Sequence, residues 1–164
     1  MKAPGFSEAG APATGCAPPG CPVPCRYLKG GVHSRRGEPA RVRILVADDS
    51  DTLSALVNDI LTAEGHQVDI ARTGTEAWEL LRSSAYDVIL CDVVLPGIDG
   101  LRLYQLVAEQ RSDVVSRFVL MSGRTEHVRR FAQATGAVFL AKPFQVDELV
   151  ACVDRCDQLH RNSV

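Results

Sequence analysis

The 164 residues are the length of about one domain, and a formal charge of −2 with a pI near 6.1 gives no electrostatic case for binding nucleic acid or an anionic membrane. No apolar run approaches the ~20 residues of a membrane span. The N-terminus, MKAPGFSEAGAPATG, has one Lys and no continuous apolar stretch, so it makes a poor signal peptide. The expected location is the cytoplasm, where the six cysteines stay reduced.

Residues 1–40 hold seven of the nine prolines and seven of the thirteen glycines, without apolar periodicity. Such a segment cannot bury enough surface to offset its ordering entropy, so a disordered tail is expected there. Cys16, Cys21, Cys25 and His33 within it match no common zinc spacing closely. From Arg41 the pattern alternates. A strand is expected over 42–47, then a helix over 51–64 with Leu53, Leu56, Val57, Ile60 and Leu61 on one stripe and Ser50 as cap. A strand over 66–71 and a helix from Thr73-Gly74 to about Ser84 follow, the latter carrying Trp78 as a packing or surface aromatic. Next come a strand over 87–92, a helix over 100–110, a strand over 117–121 and a helix over 125–134. Arg129 and Arg130 on that helix read as a solvated or docking face. A strand over 138–141 and a helix over 145–159 with Val146, Leu149, Val150 and Val153 inward complete the domain, 41–160, with 161–164 as its end.

The strands are short continuous apolar runs, as expected of parallel strands covered on both faces. Five β-α units imply a doubly wound α/β fold of the flavodoxin-like type, strand order 2-1-3-4-5. Ligands in such sheets bind at the carboxyl ends of the strands. There the sequence puts Asp48, Asp49, Asp92, Ser122 and Lys142. Three carboxylates, a hydroxyl and an ammonium describe a site for a divalent metal and a phosphoryl group. Oxygen-only ligands suit a hard cation such as Mg2+, and a carboxylate is an established phosphoryl acceptor. Cys91, inside the third strand, reads as a small buried hydrophobe. Cys152 and Cys156 share a helix face, where a bridge between them would need distorted geometry.

Four segments in order, Ile44-Leu45-Val46-Ala47-Asp48-Asp49-Ser50, Asp92-Val93-Val94-Leu95-Pro96-Gly97-Ile98-Asp99-Gly100, Met121-Ser122-Gly123 and Lys142-Pro143-Phe144, resemble the receiver domain of two-component response regulators. The resemblance covers 42 to about 160. It implies that Asp92 accepts a phosphoryl group from a histidine kinase or histidine phosphotransfer protein. It implies Asp49 as a direct Mg2+ ligand, Asp48 as one acting mainly through water, and Asp92 and the Val94 backbone carbonyl as further ligands. By the same resemblance Ser122 moves to the phosphoryl group, Lys142 pairs with the acceptor, Phe139 is the rotating switch aromatic and Lys142–Pro143 is cis. Val94 and Arg124, two residues after Asp92 and Ser122, flank the path of an attacking water and would tune the phosphoryl lifetime.

No helix-turn-helix or catalytic domain follows the last helix, so the expected protein is a stand-alone receiver signalling through protein binding, not a turnover enzyme. An aspartyl-phosphate phosphohydrolase is the alternative, but the position two after the nucleophile, usually Asp in that chemistry, is Val94. A degenerate receiver used as a scaffold is the other, and the complete set of five polar residues argues against it.

Overall fold

The computed structural model describes residues 41–123 and 125–161. The expected tail with its Cys and His residues, and Arg124, lie outside the described residues. The elements are β1 (Arg43–Ala47), α1 (Asp51–Ala63), β2 (Gln67–Ala71), α2 (Gly74–Ser83), β3 (Val88–Asp92), α3 (Gly100–Gln110), α4 (Ser112–Val115), β4 (Phe118–Ser122), α5 (Thr125–Thr135), β5 (Val138–Ala141) and α6 (Val146–Arg161). The five strands form one parallel sheet in the order β2-β1-β3-β4-β5. This is the expected doubly wound topology, and its strand order reverses between β1 and β3.

The apolar runs are buried on both faces because helices cover both. One core joins Leu45, Ile89, Cys91 and Leu120 of the sheet to Ala77 and Leu81 of α2, Leu103 and Val107 of α3 and Val128 of α5. The other joins Ile44, Val46, Leu90, Val119 and Met121 to Val57 and Leu61 of α1 and Leu149, Val153 and Cys156 of α6. At the edge, β2 is pinned to β1 by Arg43, whose guanidinium sits 2.8 Å from Asp69 and over the Tyr86 ring.

Two expected inward residues face out. Leu56 and Val146 are 53% and 51% exposed. On α1 the buried positions are Ser54, Val57 and Leu61, a stripe that leaves Leu56 to one side. Ser54 takes an inward place because its hydroxyl donates to the Asp48 carbonyl at 3.1 Å. Val146 opens α6, one turn before Leu149, where the helix has not yet reached the apolar cluster. The short α4 was not expected. It is a single turn that tucks Val114 under the core, too short to show a helical period. Among the described residues no helix is long and apolar enough to cross a membrane.

Candidate functional site

At the end of β1, the backbone of Asp48 is fixed from two sides. Its N–H donates to Ala71 O at 3.1 Å, and its carbonyl accepts the Ser54 hydroxyl. Its carboxylate, 1% exposed, is fixed as well, since Oδ1 accepts the Ser50 N–H at 2.9 Å. Ser50 is the N-cap of α1, accepting from Leu53 N, as its position before the apolar stripe predicts. Asp49 is exposed, and among the described residues its carboxylate has no hydrogen-bond or ion-pair partner.

Asp92 ends β3, opposite Met121 of β4. Its Oδ1 accepts the Val94 N–H at 2.9 Å. Lys142, the first residue after β5, donates its ammonium to Asp92 Oδ2 and to Asp48 Oδ2, the latter at 2.5 Å. Its backbone N–H donates to the Ser122 carbonyl at 2.9 Å. One cation thus spans carboxylates from β1 and β3 while its main chain is tied to β4. Burial alone would lower the Lys142 pKa. The hydrogen bonds to Asp48 and Asp92 outweigh that effect and hold it above the ordinary lysine value. The Lys142–Pro143 bond is cis.

One carboxylate oxygen from each of Asp48, Asp49 and Asp92 lies within 4.8 Å of the others. Lys142 offsets only one of the three negative charges, so the cluster keeps a net demand for a cation. Hard oxygen donors, one of them solvent-facing and unpartnered, fit Mg2+, which keeps several of its own waters. Beside the carboxylates opens a cleft of about 510 Å³ lined by Val93, Val94, Leu95, Asp99, Leu101, Ser122, His127 and Val128. Val94 is 59% exposed there, whereas Ser122 is buried.

The remaining expected residues fall as follows. Phe139 is half-buried on β5, opposite Leu120, against the core shared by α2, α3 and α5. Trp78 packs partly buried on the same core. Arg130 pairs with Glu126 one helical turn away on the exposed face of α5. Cys91 is fully buried, and burial pushes its thiol well above the ordinary range. Cys152 and Cys156 are unbridged, each pushed up to about 12 by burial. Two features carry no signal in the sequence. Lys142 serves Asp48 as well as the acceptor, and Arg72 reaches from the end of β2 to Ser50 O at 3.3 Å and Asp51 at 3.0 Å.

A family model described as the response regulator receiver domain matches residues 44–154. Curated relatives include transcriptional regulatory protein TcrA of Mycobacterium tuberculosis, 37% identical over 117 residues that cover 70% of this chain and 46% of that protein. Sporulation initiation phosphotransferase F of Bacillus subtilis is 25% identical over 122 residues, covering 73% of this chain and 97% of that protein. The chain spans about half the length of the first curated relatives it matches. Among solved structures, chemotaxis protein CheY4 of Vibrio cholerae has 27% identity and a TM-score of 0.65, covering 71% of this chain and 99% of that one. A response regulator of Chloroflexus aurantiacus, described as putative, has 30% identity and a TM-score of 0.65, covering 72% and 98%. A five-stranded sheet in this order, with an acidic crevice at its carboxyl edge and a family match running from β1 into α6, makes the chain a member of the response regulator receiver family.

Proposed function

We propose that the protein accepts a phosphoryl group on Asp92 from a histidine kinase or histidine phosphotransfer protein and signals in the cytoplasm by phosphorylation-dependent protein binding. The observation that carries this reading is the setting of the Asp92 carboxylate. One oxygen is oriented by the Val94 N–H and the other by Lys142, within 4.8 Å of two further carboxylates. An oxygen of Asp92 attacks phosphorus. The new P–O bond forms as the P–N bond to the donor imidazole breaks, and the departing ring takes a proton from solvent. Lys142 already lies against Asp92, so its charge is in place for the oxygens of the arriving group. When bound, Mg2+ would supply further positive charge for those oxygens. Ser122, at the end of the neighbouring strand, is the hydroxyl placed to move to the phosphoryl group, with Phe139 following as the switch. The match to sporulation initiation phosphotransferase F over 97% of that protein's length supports a receiver acting as a separate unit. Self-phosphorylation and slow autodephosphorylation are the whole of the chemistry on this reading, with no separate metabolite turned over.

The test is incubation with acetyl phosphate, with Mg2+ and with chelator, followed by intact mass and peptide mapping. One phosphoryl group on the peptide holding Asp92, only with Mg2+, is expected. Uptake on another residue, or equal uptake in chelator, sinks the reading.

Within the metal set, Asp49 is the direct ligand and Asp48 acts through water. The Asp48 oxygens already serve Ser50 and Lys142, whereas Asp49 is exposed and uncommitted. Asp49→Ala is therefore expected to weaken Mg2+ binding by roughly 100-fold, and Asp48→Ala by about tenfold. Calorimetry decides between them, and the reverse ranking would exchange the two roles.

The phosphoryl lifetime is set in part by Val94 and Arg124. Val94 presents a branched apolar side chain at the mouth of the cleft that Ser122 lines and gives an attacking water no polar group to orient it. Arg124 is long enough to cover the phosphoryl oxygens. The double change Val94→Asn with Arg124→Glu is expected to speed loss of the phosphoryl group by about tenfold or more. Decay after donor removal at constant Mg2+ measures this, and unchanged decay would place control elsewhere.

A further inference from the structure

The loop that leaves Asp92 is held by a part of the chain outside the four motifs. It runs from Val93 to Asp99 and rests on the start of α2 by main-chain contact. The Gly74 N–H donates to Pro96 O at 3.0 Å. A Cβ on Gly74 would lie 1.7 Å from the Ile98 carbonyl oxygen and 2.6 Å from its carbon. The far end of the loop closes on the acceptor in the same manner. The Gly100 N–H donates to Val93 O at 2.9 Å, and a Cβ there would lie 2.1 Å from the Asp92 carbonyl oxygen. These neighbours are backbone, so a side chain at either glycine could be admitted only by moving the loop.

The same start of α2 is tied to the other loop of the crevice. Thr73 caps the helix by accepting from Glu76 N at 3.1 Å, and Glu76 in return accepts the Arg72 N–H at 2.7 Å. Arg72 then extends its guanidinium to Ser50 O and Asp51, directly after the two metal-site carboxylates. The preceding residue, Ala71, accepts the Asp48 N–H. Residues 71–76 therefore touch the loop that carries Asp48 and Asp49 and the loop that follows Asp92, yet contribute no group to the crevice.

The geometry points to residues 71–76 as a brace that sets the spacing between the metal-site carboxylates and the acceptor, with Gly74 and Arg72 as positioning residues for the proposed phosphoryl transfer. This rests on that reading of Asp92. Ordinary carbon–oxygen contact needs more than 3 Å, so Gly74→Ala must push the Ile98 carbonyl away by more than about 1 Å. Displacement of that size at a reacting centre costs about 100-fold in rate.

Gly65→Ala is the matched control. Gly65 has φ of +91° and nothing near its Cβ position, so Ala there strains the backbone far from the crevice. The measurements are maximal phosphorylation rate and half-saturating acetyl phosphate, corrected for folded fraction, Mg2+ affinity by calorimetry, and the Val94 amide resonance without metal. Gly74→Ala is expected to lower the maximal rate about 100-fold with half-saturation little changed, to weaken Mg2+ binding and to shift the Val94 resonance. Gly65→Ala is expected to lower the melting temperature and leave all three readouts as in wild type. Arg72→Lys, which keeps the charge but not the two-pronged contact, carries the test if Gly74→Ala does not fold, with an expected loss of about threefold to tenfold in maximal rate at unchanged melting temperature. If wild type takes up no phosphoryl group, the reading of Asp92 fails, and Mg2+ affinity and the Val94 resonance still judge the brace. Gly74→Ala indistinguishable from Gly65→Ala in those two readouts, or Arg72→Lys indistinguishable from wild type in every readout should Gly74→Ala not fold, overturns the brace.

Discussion

Asp92→Asn is expected to abolish phosphoryl uptake and leave the fold intact. The amide has the shape of the carboxylate and can still accept the Val94 N–H through Oδ1. Lys142 loses one anionic partner and retains Asp48, so no buried charge is left unpaired. What disappears is the anionic oxygen, and a neutral amide is a far weaker nucleophile towards phosphorus. The variant should also melt no lower than wild type, because one of three mutually repelling charges has been removed. Intact mass after acetyl phosphate treatment measures the first effect and thermal unfolding the second. An equal mass gain in variant and wild type would falsify the assignment of Asp92 as acceptor.

Lys142→Met is expected to damage both stability and chemistry. The side chain is 19% exposed, and its partners Asp48 and Asp92 are 1% and 13% exposed, so the triad is largely screened from water. Removing the ammonium leaves two buried carboxylates facing each other and a third nearby. Breaking a buried pair costs about 3–5 kcal/mol, and the residual exposure here puts the cost near the lower end. The melting temperature should fall by on the order of 10 °C. Added Mg2+ should restore more stability to this variant than to wild type, since the ion meets a larger charge deficit. The phosphorylation rate should drop roughly 100-fold to 1000-fold, as when one preorganised charge is removed from an oxyanion site. In wild type the contribution has a definite pH window. The folded protein holds the Lys142 proton more tightly than the unfolded chain does. The stabilisation is therefore complete below the ordinary value of 10.5 and fades as pH rises through the raised folded value. A variant that melts with wild type at neutral pH would show that the triad contributes nothing net.

The parts of this protein legible in its sequence are those where chemistry and period coincide. Runs such as Ile44–Ala47 and Val88–Cys91 are apolar at every position, which only a doubly covered strand requires, and each is fully buried. Asp48, Asp49, Asp92, Ser122 and Lys142 could be placed together because strand order decides which ends are neighbours. What escaped notice depends on contacts between segments that share no local pattern. Leu56 looks inward by composition, but Ser54 takes the inward place for the sake of a carbonyl on β1. Gly74 reads as an ordinary helix start, and only the fold shows a carbonyl where its side chain would be. That Lys142 serves two carboxylates from different strands depends on a distance that spacing along the chain cannot supply.

The shared ammonium also bears on how the protein is made. A crevice of three acids would ordinarily resist closing until a metal ion arrived, and the nascent chain would depend on the local supply of that ion. Lys142 comes from the last strand to be synthesised and brings its own charge to the first and third. The domain can complete its sheet in a magnesium-poor compartment and take the ion afterwards as an exchangeable passenger. Shortage would then silence signalling reversibly, leaving a reserve of folded protein ready when the ion returns.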